Sequence, residues 1–389
     1  MNPRIFLALS LMLFFLMATM AQDVKTAPCP ATSGPVATHP KSAAIQPLLD
    51  SLVNIHIPGA VAAISDANGS WIGAAGLAKL EDATSMGSCH LNYLQSISKT
   101  YMAVVMLQLY EEGKIGLDSN AALYLPPNLS KRIPGIEKVT VRMLLNHTSG
   151  LPEYNYDPTY ITRLLQNPHR IFSPVEYIDY VQKKKPLFEA GTKYLYSNFG
   201  YEVLSLIADY VTGDHAAYMR THIFERLGLK QTFYRIEQGN TYHNQIVNSY
   251  WDRHNNGKLE NISELQNSNV ASMAGDDGII TTAAEAILFL KGLMEGKLLN
   301  PETLARMQDW VKDSKGNPRY GMGLSLANMA GSTAIGHSGG GLGAGAELYY
   351  FPEKKVYMFL AINLGTVTHS PIHKKAEEIL ERLHEAIVK

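Results

Sequence analysis

The sequence predicts a mixed α/β (α+β) fold: an antiparallel sheet with flanking helices, plus a mainly helical part. Three observations carry this. Two apolar runs, 59–64 and 70–77, bracket Asp66-Ala67-Asn68-Gly69, and the Asn-Gly pair marks a tight hairpin. Strand-like runs return at 320–326, 333–337, 346–351 and 356–363, the last two joined by the turn Pro352-Glu353-Lys354-Lys355. Between these ends the periodicity is helical. A sheet drawn from both ends of the chain pairs antiparallel through hairpins and leaves the middle as a helical insertion beside it.

The elements follow in order. Arg4, the apolar run 5–17 and Ala18-Thr19-Met20-Ala21 have the layout of a secretory signal peptide, 1–21, with cleavage expected after Ala21. That predicts a secreted or periplasmic protein with no membrane span after cleavage. Residues 22–44, rich in Pro, Ser, Thr, Ala and Gly, read as a flexible lead-in. A helix over 46–53 precedes the hairpin. Tyr101, Met102, Val105, Met106, Leu109 and Tyr110 recur at helical spacing until Gly113 and Gly116 stop them. A short helix follows Thr140, and Ser173-Pro174-Val175-Glu176 is a capping box with Pro in the first turn. Residues 201–211 form a helix that Gly213 ends, and 239–273 reads as a long polar loop. Thr282-Ala283-Ala284-Glu285 opens another helix. After the strands, Ser370-Pro371 caps a last helix with Ile372, Ala376, Ile379, Leu380, Leu383 and Ile387 on one stripe.

Composition narrows the function. Hydrophobic residues make up 46% of the 389, enough for a large core, and the net charge is −1 without a long basic run, so no nucleic-acid partner is expected. The 13 His form no His-x-His and no His-Glu-x-x-His, so no metal and no cofactor are expected. Cys29 and Cys89 are either a disulfide, which export permits, or two thiols.

Three stretches carry candidate chemistry. Ser96 and Lys99, three residues apart at a helix start, share one face: a hydroxyl beside an amine is a minimal nucleophile and base. The plain alternative is an N-cap Ser with a surface Lys. In Tyr196-Ser197-Asn198, alternate residues point one way, so a phenol and an amide could face one cleft; otherwise they are a buried Tyr and a turn Asn. Gly336-His337-Ser338-Gly339-Gly340-Gly341 combines an imidazole with glycines that allow close backbone approach, or is a plain hairpin corner.

Together, Ser96-x-x-Lys99, Tyr196-x-Asn198 and His337-x-Gly339, in this order, resemble the serine β-lactamase and DD-peptidase superfamily, class C-like branch. The phrases from Thr140 through His147-Thr148-Ser149-Gly150-Leu151-Pro152 and from Gly191 to Tyr201 are also similar to it. The resemblance implies a β-lactamase/transpeptidase-like fold for 45–389, with an α/β lobe of about 45–95 and 270–389, a helical lobe of about 96–269, and the site in the groove between. It implies Ser96, Lys99 and Tyr196 as catalytic residues, Asn198, His337 and Gly339 as substrate-binding residues, and the N–H groups of Ser96 and Gly340 as oxyanion hole. For Lys99 to accept a proton, burial and positive neighbours must favour its neutral form. His337 stands where β-lactamases carry Lys, so the charge there is expected to depend on pH. That favours a DD-carboxypeptidase, D-amino-acid peptidase or esterase acting on small peptide, amide or ester substrates, cell-wall peptides among them. A class C-like β-lactamase comes second and a non-turnover penicillin-binding sensor or binding module third. Gly275-Asp276-Asp277-Gly278 departs from the family's Gly-Gly pattern and reads as surface-turn acids rather than groove residues. Gly336-His337-Ser338-Gly339-Gly340 also matches the α/β-hydrolase elbow, but no helix is expected after it and no Asp follows Ser338.

Overall fold

The computed structural model describes residues 39–235 and 244–389. The leader 1–21, residues 22–38 and Cys29 lie outside them, as does that half of the candidate disulfide.

Among the described residues the main sheet has nine strands, every neighbouring pair antiparallel. They are β1 (Gly59–Asp66), β2 (Gly69–Lys79), β3 (Thr84–Ser85), β4 (Val311–Lys312), β5 (Pro318–Tyr320), β6 (Ser325–Met329), β7 (Ser332–Gly340), β8 (Gly345–Phe351) and β9 (Val356–Ile362). Their order is β3-β2-β1-β9-β8-β7-β6-β5-β4. The two chain ends meet where β1 pairs with β9, Ala60 opposite Ile362. At the first hairpin Asp66 pairs with Gly69, whose φ of +118° a side chain would resist, and Asp66 Oδ1 accepts the Asn68 N–H at 2.7 Å.

The sheet is covered on both faces, so β9 and residues 59–64 of β1 are apolar throughout rather than alternating. Ala60, Ala62 and Ile64 of β1 pack into one core with helices α1 (Ser42–Asn54) and α5 (Pro371–Val388). Val61 and Ala63 join the opposite core with α2 (Ser98–Glu111), α3 (Asn198–Thr212) and α4 (Ala283–Met294). The stripe read on the C-terminal helix is its buried face: Ile372, Ala376, Leu383 and Ile387. Helix α2 is not amphipathic; Ser98 to Leu109 are all buried, so it runs through the middle of the molecule.

Two expectations need correction. The run 320–326 is two strands, because Gly323 takes φ +78° to pass under α2; a Cβ there would lie 2.3 Å from that of Ala103. The 239–273 loop, from 244 onward, holds a two-stranded hairpin (Tyr250–Trp251 with Glu260–Asn261) and a helix, Ser263–Ser272. A helix over Pro158–Gln166 also escapes the periodicity reading, although Asp157 caps it by accepting the Thr159 and Tyr160 N–H groups. Finally, Asn92–Tyr93, Ile279–Thr281 and Thr232–Tyr234 form a small second sheet, which ties residues 275–278 to the start of α2: Leu94 N–H donates to Ile279 O at 3.0 Å, and Ile279 N–H to Ser98 Oγ at 3.1 Å.

Candidate active site

Ser96 lies in a single 3-10 turn, Gln95–Ile97, that runs into α2. Gln95 holds φ +52°, unfavourable for a residue with a side chain, and so turns the chain sharply just before Ser96. Lys99 comes one turn later on the same face, as the spacing predicts. It is 0% exposed and donates from Nζ to Ser96 Oγ at 3.1 Å. The N-cap alternative fails, since neither helix start has a side-chain cap.

The Tyr196 ring lies 5.0 Å from Lys99 Nζ. Its hydroxyl is buried and makes no aligned hydrogen bond; Ser96 and Lys99 are the hydroxyl neighbours that pull its pKa down, against a larger upward push from burial. Such bonds are often loose before substrate arrives. Asn198 begins α3, and its side-chain oxygen is buried without a partner. Two residues missed in the sequence fix this segment. Glu153 accepts the N–H groups of Asn198 and Phe199 at 2.8 and 2.7 Å, and burial raises its pKa to about 7. His147, at φ +61°, accepts the Ser197 N–H on Nδ1 at 3.2 Å and packs its ring 4.3 Å from that of Tyr196. Glu153 stands in the loop ahead of helix Pro158–Gln166, and an acid in such a place is too ordinary a pattern to single out.

Strand β7 passes on the other side of Ser96. Gly339 is required by space: a Cβ there would stand 2.1 Å from the carbonyl oxygen of Leu94. Gly340 lines both parts of the cleft with Ser96. His337 departs from expectation. It is buried, with Nδ1 2.6 Å from the Ser338 carbonyl and Nε2 2.8 Å from the Tyr320 hydroxyl. The carbonyl only accepts, so Nδ1 carries the proton and Nε2 accepts from Tyr320. Burial, then Lys99, lowers its pKa to about 3, so the ring is neutral across the physiological range rather than a pH-dependent cation.

Two further corrections concern charge. Asp276 and Asp277 are not surface-turn acids: both are buried against Lys99. Lys99 Nζ donates to the Asp276 carbonyl at 2.8 Å and lies 4.0 Å from its carboxylate. Lys99 is therefore not pushed toward its neutral form. Burial lowers its pKa, but Tyr196, Asp276 and Asp277 together outweigh burial and raise it.

The cleft has two halves that share Ser96 and Gly340. One, about 370 Å³, holds Tyr196, Tyr194, Arg319, His337 and Ser338; the other, about 480 Å³, holds Asn198, Asp276 and Asp277. A serine hydroxyl against a buried lysine, with a phenol over both and a strand edge opposite, is the layout of an acyl-transferring serine hydrolase. The Beta-lactamase family model matches residues 42–380, and the chain belongs to that family. It is 25% identical over 330 residues to a penicillin-binding protein of Bacillus subtilis strain 168, spanning 78% of this chain and 68% of that one. Among solved structures it is similar to a D-stereospecific amidohydrolase from Streptomyces sp. (26% identity, TM-score 0.73, 86% of this chain and 97% of that one). It also shares its fold with the D-amino acid amidase of Ochrobactrum anthropi SV3 (23% identity, TM-score 0.78, 89% and 98%).

Proposed function

We propose that this serine hydrolase works through an acyl-enzyme on Ser96 and cleaves peptide or amide bonds as a DD-carboxypeptidase or D-amino-acid peptidase, with esters as accessory substrates. The 3.1 Å contact between Lys99 Nζ and Ser96 Oγ, beneath the buried phenol of Tyr196, carries this reading. Ser96 Oγ attacks the substrate carbonyl carbon while its proton passes to the Lys99–Tyr196 pair once that pair has lost one proton; the two groups share it, so neither is its sole owner. The oxyanion is held by the N–H groups of Ser96 and Gly340. The C–N bond breaks, the pair returns the proton to the leaving amine, and water then attacks the acyl carbon by the reverse route.

The names of the similar amidohydrolase and amidase support amide substrates, and the neutral His337 supports a peptidase over an enzyme that anchors an antibiotic carboxylate on that residue. In the Tyr196 half, Arg319 supplies the positive charge that His337 lacks and can meet a leaving-group carboxylate. Export of the chain through the leader 1–21 completes the proposal; N-terminal sequencing of the mature protein is expected to begin at Gln22.

The test is a substrate panel of D-Ala-D-Ala peptides, D-amino-acid amides, short-chain esters and a cephalosporin, with mass spectrometry of trapped acyl-enzyme. Turnover of peptides or amides with the acyl group on Ser96 is expected. Preferential cephalosporin turnover would make it a β-lactamase, and lasting acylation without turnover would make it a sensor.

A further inference from the structure

We infer that the Asn198 half of the cleft is an acyl pocket selective for a bulky apolar acyl group, aromatic or branched aliphatic, over an acetyl or alanyl one. The inference rests on the acyl-transfer reading above, and within it favours a D-amino-acid peptidase over a DD-carboxypeptidase, whose acyl residue is alanyl. Direction comes from the phenol. Tyr196, which returns the proton to the leaving group, lines the 370 Å³ half and is absent from the other. The leaving group therefore sits beside Tyr196 and Arg319, and the acyl portion extends the opposite way, past Asn198 and Gly340.

That opposite half is apolar where it opens. Ile161 and Leu165, one turn apart on helix Pro158–Gln166, are 39% and 36% exposed and line it. Tyr156 and Val367, 78% and 53% exposed, face it from two other segments. These are four of the eleven large apolar side chains that stand exposed among the described residues, gathered at one cavity. Single exposed apolar residues need no explanation, but a cluster around a concave site beside a nucleophile does. Trp251 and Met273 extend the same surface inward. Polar side chains line this half too, Gln95, Asn155, Asn198, Asn269 and the Asp276–Asp277 pair; Asp276 stands 4.0 Å from Lys99 Nζ, which puts that pair at the nucleophile end, where the amide of an acyl residue lies. About 480 Å³ accommodates a phenylalanyl or leucyl group and leaves an alanyl methyl without contact on most sides.

The test uses the mature chain with two matched series that hold the leaving group constant: p-nitroanilides of D-alanine, D-leucine and D-phenylalanine, and p-nitrophenyl acetate, butyrate and phenylacetate. Each added methylene in an apolar pocket changes kcat/KM by about tenfold or more. The wild type is expected to favour the bulky member of each series by at least about tenfold. In Ile161→Asp and Leu165→Asp the ratio of bulky to small kcat/KM is expected to fall by about as much. Both positions are on a helix surface, and Ile161→Ala and Leu165→Ala provide a gentler pair if an aspartate reduces folding. A wild type that prefers the acetyl and alanyl substrates, or variants whose ratio is unchanged, overturns the inference and leaves the acyl-transfer reading in place. Absence of an acyl adduct on Ser96 with every substrate removes that reading itself and the pocket assignment with it.

Discussion

Lys99 Nζ donates to the carbonyl oxygen of Asp276 at 2.8 Å while the carboxylate of the same residue stands 4.0 Å away. One residue thus both positions the amine and supplies negative charge beside it. With Tyr196 and Asp277, it outweighs burial and holds the Lys99 pKa above its usual value; burial holds that of Tyr196 above its own. Both groups are protonated at neutral pH, and the pair must lose one proton before it can accept one from Ser96. Loss of a proton is favoured as pH rises, so kcat/KM is expected to climb from pH 6 into the alkaline range, by about tenfold per unit well below the effective pKa. Asp276→Asn removes negative charge, stabilises the deprotonated pair and moves the climb to lower pH. A wild-type profile that is flat from pH 6 to 9 contradicts this account.

Ser96→Ala is expected to abolish acylation with the fold intact, because Ser96 Oγ receives one hydrogen bond, from Lys99, and caps no helix. Lys99→Ala and Tyr196→Phe are expected to slow acylation by at least about a thousandfold each, and the double variant by little more than either, since the two act as a unit. Single-turnover kinetics with circular dichroism on each variant checks this; wild-type rates in either variant would take that residue out of the reaction.

Glu153 provides a stability prediction. Its pKa is raised by burial to about 7 from an ordinary 4.5, partly offset by the Phe199 and Asn198 N–H groups. Between those pH values the unfolded chain has lost a proton that the folded chain still holds. Stability therefore falls with rising pH across that window, by roughly 3 kcal/mol for this one group. Asp276 and Lys99 also face the carboxyl, so the comparison is made against Glu153→Gln, in which they remain. Urea denaturation at pH 4.5, 5.5, 6.5 and 7.5 is expected to show the wild type losing stability relative to the variant as pH rises. A constant difference would mean that the Glu153 pKa is not raised.

What could be read in the sequence depended on the range of the interaction. Ser96 and Lys99 were legible because a helical turn alone puts them together, and the hairpin at Asp66–Gly69 and the C-terminal stripe were legible for the same local reason. Tyr196 and His337 were read through family resemblance, with the fold bringing them to within 6.2 Å between ring centroids. Glu153 was invisible because its partners lie 45 and 46 residues away. Asp276 misled because Gly-Asp-Asp-Gly has the composition of an exposed turn. The turn is instead clamped on the helical core, where a Cβ on Gly275 would lie 1.8 Å from the carbonyl oxygen of Tyr201. Ile161 and Leu165 sit on a helix too short for its periodicity to stand out.

Gly339 tests whether β7 must lie as close to the nucleophile turn as it does. On the same strand Gly336 is pressed against the sheet, a Cβ there lying 2.0 Å from Leu348 O, so a substitution at Gly336 reports mainly on strand packing. At Gly339 the added methyl would meet Leu94 O at 2.1 Å and the Gln95 side chain at 2.8 Å, on the two residues that lead into Ser96. Backbone does not yield as a flexible side chain does, so Gly339→Ala must widen the gap between β7 and the 3-10 turn. That moves the Gly340 N–H away from the proposed oxyanion position, and one such donor is worth about 3–4 kcal/mol of barrier, or 10²–10³ in kcat. The expected result is a fall in kcat of that size with KM little changed, alongside about 1–3 kcal/mol of lost stability from overpacking. Gly336→Ala is expected to cost comparable stability with a smaller loss of kcat. Equal kcat losses in the two variants would show that the close approach at Gly339 serves the sheet and not the reaction.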